Sequence, residues 1–276
     1  VPARAQVIRV IMDELTRIAS HELWWGAMCM DLGAFTPYFH AFRERESIND
    51  IMEETCGARL TMNYMVPGGV MQDIHPNFQA RVKRFITQWK EKAKEIEELV
   101  TGNIIFQNRM KGVGVLSAED AISYGCTGPT ARGSGVSCDV RKHYPYEIYQ
   151  QVQFDEILES GGDSLARYKV RIREMEQSIR IVEQLIDQIP EGDFQAKTKA
   201  VLKLPKGEFY NRVETARGEL GVYIVSEGGT TPYRIKFRSP GFSNLSVLDH
   251  IARGSKIGDL VAMMGTLDLV IPDIDR

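Results

Sequence analysis

The sequence lacks most of the residue arrangements from which compact catalytic and metal-binding sites are built. Its four cysteines, Cys29, Cys56, Cys126 and Cys138, form no C-x-x-C. That removes zinc ribbons and thiolate cluster cradles, and reduced thiols are the default reading. The five histidines, His21, His40, His75, His143 and His250, give neither H-x-x-x-H nor H-E-x-x-H, so no metal ligand set is assigned to the chain. No G-x-S-x-G elbow occurs, and Gly133-Ser134-Gly135 reads as a flexible turn. No G-K-[ST] phosphate loop occurs either, and Gly112-Val113-Gly114 is without the third glycine of a dinucleotide fingerprint. A formal net charge of -3 offers neither a basic surface for nucleic acid nor a polybasic membrane address. The chain carries no internal repeat.

What is present is ordinary globular composition: 276 residues, 43% hydrophobic and 26% charged, enough to bury a sizeable core. The chain opens Val1-Pro2 with no leader pattern, and a helical pattern begins almost at once. That reads as a piece of a longer protein. The run Leu23–Phe42, LWWGAMCMDLGAFTPYFHAF, has the length of a membrane span. It contains Asp31, Gly33, Thr36 and Pro37, and Pro37 is expected to interrupt a helix. The run is therefore read as a buried segment of a water-soluble fold.

Three helices are legible from three-four spacing. The first covers about Arg4 to Leu32, with Ile8, Ile11, Leu15, Ile18, Trp25 and Cys29 on one face. Glu22 interrupts that face and is read as a helix turning toward water. The second covers about Asn77 to Val100, striped by Val82, Phe85, Ile86, Trp89, Ala93 and Ile96. The third is striped by Leu165, Tyr168, Ile172, Met175, Ile179, Val182, Ile186 and Ile189; Asp163 or Ser164 can cap its start, and Pro190 follows its end. Between the second and third lies an irregular Gly-, Ser- and Thr-rich layer. Val222–Ser226 and Tyr233–Arg238, around Glu227-Gly228-Gly229, predict a β-hairpin. Short helices are expected near Asn244–Ala252 and Ile257–Met264. The fold class is thus mainly α, a helical bundle with a small β-hairpin element. Residues 1–190 form the bundle, with the loop layer at 101–150, and residues 191–276 hold the hairpin, short helices and tail.

One carboxylate stands out. Asp31 is the sole formal charge between Glu22 and Arg43. Burial without a partner would cost several kcal/mol or more, and both desolvation and the helix C-terminus favour a proton on it or a cation beside it. Physical argument leaves two roles open, structural acid or proton carrier. The run Phe42–Glu46, FRERE, follows directly, so a charge network joining Arg43, Glu44, Arg45 and Glu46 to neighbouring acids is expected.

The strings RAQVIRVIMDELTRIASH, MDLGAFTPYFHAFRERE, NYMVPGGV, GVGVL, GCTGPTARGSGVSCDVRK, RYKVRIREMEQS, KGEFYNRVETARGELGVYIVSEGG, PYRIKFRSPGF and the terminal DIDR occur in order over nearly the whole chain. Together they closely resemble the D-subunit family of the proton-pumping NADH:quinone oxidoreductases, respiratory complex I. An N-terminal part of that family, roughly a third of its length, has no counterpart here. The resemblance implies a nickel–iron hydrogenase large-subunit-like fold and a peripheral subunit on the cytoplasmic side of a bacterial inner membrane. It implies no cofactor on this chain, with FMN and the iron–sulfur clusters in partner subunits and quinone as the substrate. The implied partners are the B subunit with the terminal cluster, the C subunit, and the membrane-arm subunit at the quinone site.

Asp31 matches the family's DLGA aspartate, which pairs with a histidine that holds the quinone headgroup. The resemblance therefore implies that Asp31 delivers a proton to reduced quinone or keeps that histidine protonated. In hydrogenases two thiolates near the C-terminus hold nickel and iron; here Val270 and Asp273 stand in their places. That excludes the hydrogenase metal site in this half, since valine is no ligand and one carboxylate does not replace two bridging thiolates. The tail is read instead as a wall of the quinone cavity, with Val270 and Asp268 facing it. Thr61 stands where many members carry a histidine near the terminal cluster, which implies a cluster whose potential does not follow pH, suited to a low-potential quinone. Two other classes fit the resemblance less closely. One is a subunit of a membrane-bound hydrogenase-like or ferredoxin:quinone oxidoreductase complex, the other a purely structural subunit.

Overall fold

In a computed structural model the protein is described at residues 1–199 and 201–275. Ala200 and Arg276 lie outside, and with Arg276 the end of the DIDR string.

Helix α1 runs Ala3–Asp31 and α2 runs Phe35–Cys56. Ile8, Ile11, Leu15 and Ile18 have no solvent exposure, as the spacing predicts. The expected single buried segment at Leu23–Phe42 is instead the turn of an antiparallel αα-hairpin. The Gly33 and Ala34 amides donate to Met30 and Cys29 carbonyls at 2.9 and 2.8 Å, and Gly33 takes φ +92°, a left-handed turn that glycine adopts freely. Pro37 does not interrupt a helix. It is the third residue of α2, where no intrahelical bond requires its missing N–H.

Strands β1 (Met65–Val66) and β2 (Gly69–Val70) form a minimal hairpin. Helix α3, Phe78–Ile96, continues into one wide turn over Glu97–Thr101. The loop layer is less irregular than expected, because it contains α4 (Ile104–Met110), α5 (Ala118–Ser123), α6 (Gly128–Arg132) and α7 (Val140–His143). Helix α8, Ser164–Leu185, is capped by Asp163, whose carboxylate accepts from the Ala166 amide at 2.8 Å. Helices α1, α2, α3 and α8 enclose the main apolar core.

The hairpin expected at Val222–Arg238 is two strands of a three-stranded antiparallel sheet. β3 (Gly207–Thr215) and β5 (Arg234–Arg238) flank β4 (Gly218–Ser226). Strand β3 escapes an alternation search because GEFYNRVET is half exposed and polar on both sides. Helices α9 (Pro240–Leu245), α10 (Leu248–Ala252), α11 (Ile257–Leu267) and α12 (Ile271–Ile274) complete the chain. Among the described residues, no helix is long and apolar enough to cross a membrane.

The sheet meets α6 by direct backbone approach. A Cβ on Gly218 (φ +132°) would lie 2.8 Å from the Gly128 nitrogen and 2.6 Å from Thr127 Oγ1. Gly218→Ala is therefore expected to cost more than ~1 kcal/mol through strain at a φ that alanine avoids. Urea denaturation checks it: an unchanged midpoint would mean that the sheet can swing off α6 at no cost.

Candidate functional site

The C-terminal turns of α1, the β3–β4 turn and the end of α11 enclose a groove of about 580 Å³. It gathers three residues predicted from distant parts of the chain: Asp31, Asp268 and Val270. Val261 and Met264 present the exposed part of its apolar wall, with Trp24 and Met28 behind it. The Trp24 indole N–H donates to the Gly265 carbonyl at 2.6 Å, fixing the ring against α11. A Cβ on Gly265 would come within 3.2 Å of Met28 Cγ, so α1 and α11 pack closely there.

The polar floor is an ion pair. Arg217 donates to Asp268 Oδ1 at 3.2 Å and to Ser20 Oγ at 3.3 Å. Asp268 is 8% exposed and closes α11 in the left-handed region at φ 55°, a costly conformation for a residue with a side chain. Among the described residues, Asp268 Oδ2 and Arg217 Nε are both buried without hydrogen-bond partners. Behind them Arg171 stacks on Trp24 at 4.6 Å, and its Nε and one terminal nitrogen are also unpartnered. Burial pulls Arg171 down to about 10, against the opposing pull of Asp268 and Glu174. The result is an apolar trough with a buried ion pair and a buried arginine beneath its surface.

Asp31 is not the buried acid expected. It is the last residue of α1, exposed, at the rim of the groove. The FRERE run does not join it. Arg43 donates to Glu44 at 2.6 Å and to Glu95 at 3.1 Å, Glu46 pairs with Arg59, and Arg45 lies over the Phe42 ring at 5.8 Å. Thr61 is exposed in the left-handed region at φ 51° and does not line the groove. Asp273 has structural work: its carboxylate accepts from Ser239 Oγ at 2.6 Å and the Gly241 amide at 3.1 Å, tying the tail to the start of α9. With Asp273 so engaged and Val270 on the groove wall, these positions do not fit a thiolate-held metal pair. Among the described residues no other His, Cys, Asp and Glu group assembles as metal ligands.

A larger feature is missing from the sequence reading. Four carboxylates (Glu14, Asp139, Glu174, Glu214) and three arginines (Arg17, Arg132, Arg141) share one buried network. Arg132 bridges Glu214 and Glu174 at 2.7 Å each, and Arg141 bridges Glu14, Asp139 and Glu174. His21, its pKa lowered by burial, is bonded to Glu174 at 2.7 Å. Against burial, Arg132 holds Glu174 far below its ordinary value, and the arginines hold Asp139 down at about 2. Burial pushes Glu214 up to about 6, as expected of the acid left over when four face three. The signal in the sequence is a polar stripe, Arg167, Arg171, Glu174 and Ser178, running at helical spacing beside the apolar stripe of α8. Both stripes are buried.

A family model described as the respiratory-chain NADH dehydrogenase 49 Kd subunit matches residues 31–276. The chain is 55% identical over 273 residues to the C/D subunit of NADH-quinone oxidoreductase from Bacteroides thetaiotaomicron, covering 99% of this chain and 52% of that protein. It is 48% identical to the D subunit of the Desulfotalea psychrophila enzyme and 46% identical to the D subunit of the Bacillus cytotoxicus enzyme, in each case over 100% of this chain, and over 74% and 75% of those proteins. The chain thus spans about half the length of the C/D relatives and about three-quarters of the D relatives.

Proposed function

This chain belongs to the 49 kDa (D-subunit) family of respiratory-chain NADH dehydrogenases, whose fold is hydrogenase large-subunit-like, and on that premise we propose that its groove is a wall of a quinone-reduction cavity. The observation that carries the reading is the convergence of Asp31, Asp268 and Val270 on one groove. In this reading the second wall belongs to the B subunit, whose terminal cluster supplies two electrons, and the product is quinol. The C subunit and a membrane-arm subunit complete the surroundings, and the whole sits peripherally on the cytoplasmic side of the inner membrane. The C/D names of the Bacteroides relatives support the C subunit as a neighbour.

The residues of this chain would bind and protonate. Val261 and Met264 hold an apolar ring. The Arg217–Asp268 ion pair lies beneath the wall and sets the charge behind it. Asp31 stands at the rim as the carrier of a proton.

Val270→Trp in the full-length subunit should fill the groove. NADH:quinone reductase activity is expected to fall by roughly tenfold or more, the equivalent of about 1.4 kcal/mol of transition-state stabilisation. Electron delivery to an artificial acceptor upstream of the groove should be unchanged. Quinone reduction at the wild-type rate in that variant would show that the groove does not take the quinone.

A further inference from the structure

Glu22 has a role that the groove does not explain. The sequence places it as a helix position turned to water, and the structure overturns that: Glu22 is 2% exposed. Among the described residues neither carboxylate oxygen has a well-aligned hydrogen-bond partner, and the buried Trp89 indole N–H lies beside it, close enough to favour the anion without forming an aligned bond. These groups face a small void between α1, α2, α3 and α8. Its volume is about 10 Å³, on the order of what a single water occupies.

Every charged group around the void bears on the state of Glu22. Helix α2 lines it with His40, Arg43 and Glu44 and α3 with Lys92 and Glu95, Arg45 acts on Glu22 from outside the lining, and α8 brings only the uncharged Met175. Among the described residues Arg45 is the one cation acting on Glu22, and it makes no ion pair with it; Glu44 opposes ionisation. An ionised carboxylate with no hydrogen bond and no paired cation does not persist in a core. The neutral acid does, provided that its O–H and its carbonyl oxygen find partners.

The outer side of the void leads to solvent. Glu44 lies at its edge with a side chain 10% exposed, and the Arg43 guanidinium connects Glu44 to Glu95. Glu95 in turn accepts from Lys92 at 2.7 Å and meets His40 Nδ1 at 3.1 Å. Arg43, Glu95, Lys92 and His40 are all partly exposed.

We propose that Glu22 is a proton-exchange site, a neutral acid in the core that trades its proton with solvent through one bound water and Glu44. In the exchange the water takes the Glu22 proton and passes one of its own to the Glu44 carboxylate. One proton moves, no other bond is made or broken, and no electron is transferred. Arg45 stabilises the transient Glu22 anion, and the rim returns a proton from solvent. The site is separate from the groove and stands whether or not the groove takes a quinone.

Infrared spectroscopy of the assembled protein tests this. The wild-type minus Glu22→Gln difference spectrum should show a carboxylic-acid C=O band at neutral pH, and the band should shift promptly on transfer to D2O. In Glu44→Gln that deuterium shift should slow by roughly 10²-fold, the scale of a positioned proton acceptor. Absence of the band means that Glu22 is ionised and overturns the proposal. A band that ignores D2O marks a sealed structural acid and overturns it equally, as does exchange unaffected by Glu44→Gln. Should Glu22→Gln fail to assemble, Glu22→Asp takes its place. The band must then move in frequency and keep its fast exchange, and an unmoved band assigns the signal elsewhere and overturns the proposal.

Discussion

Arg132→Ala is expected to destabilise the protein by roughly 3–5 kcal/mol, the cost of leaving buried charges without their partner. Arg132 is 1% exposed and spans Glu174 and Glu214 with separate nitrogens at 2.7 Å. Its removal leaves Glu214 without a paired cation and Glu174 with only Arg141 and His21, beside Asp139, which lies 4.0 Å from the same guanidinium. Lysine at this position should not restore stability, because one ammonium on a flexible stem cannot fork between two carboxylates. Against a typical domain stability of about 5–15 kcal/mol, the loss is large enough to read directly as a lowered urea midpoint. A change within about 1 kcal/mol would mean that the network reorganises freely around the gap, and would overturn this expectation.

The same network fixes the sign of the pH response. Glu14, Glu174 and Asp139 have lowered folded-state pKa values. Their contribution is complete above the ordinary carboxylate range and is lost as pH falls through the folded values, about 2 for Asp139. Glu214 acts oppositely. Raised by burial from 4.5 to about 6, it contributes stability below 4.5 that disappears as pH rises through about 6. Arg132→Ala takes away the partner that holds Glu174 down, so the acid limb of the stability profile should flatten in the variant.

Whether an element is legible in the sequence depends on whether its own segment or its neighbours set its place. Helices α1, α3 and α8 have long stripes whose burial follows from spacing alone, and they lie within a few residues of expectation. Helix α2 escapes because Pro37 acts as a breaker only inside a helix, and the start point that places it in the first turn is not marked in the sequence. The third strand escapes because its register comes from pairing with β4, not from its own alternation. Glu22 and the buried arginines look like surface or interruption because a single sequence gives no sign of a partner across the core. Glu14 and Arg17 lie one turn apart on α1, yet Arg132, Asp139 and Arg141 come from the loop layer and Glu214 from the sheet. The groove is legible only through resemblance. No spacing rule relates Asp31 to Asp268 and Val270, and a chain fold is needed to place them together.

If the groove takes the quinone as proposed, Asp31→Asn in the full-length subunit is expected to reduce quinone reduction by roughly 10²–10⁴-fold, the contribution of a positioned proton donor or acceptor. Assembly and electron delivery to an artificial acceptor should persist. The substitution keeps size and hydrogen-bonding shape and removes only the ability to carry a proton. Asp31 lies exposed at the end of α1, so asparagine there should leave folding within about 0.5 kcal/mol, as ordinary surface substitutions do. That separation makes the test sharp: a loss of turnover cannot be charged to the fold. Asp31→Glu should recover part of the rate, since the carboxylate returns on a longer arm. Quinone reduction at the wild-type rate in Asp31→Asn would return the residue to the structural acids. The groove would then have to take its proton elsewhere, with Asp268, whose Oδ2 has no partner among the described residues, the remaining acid on its wall.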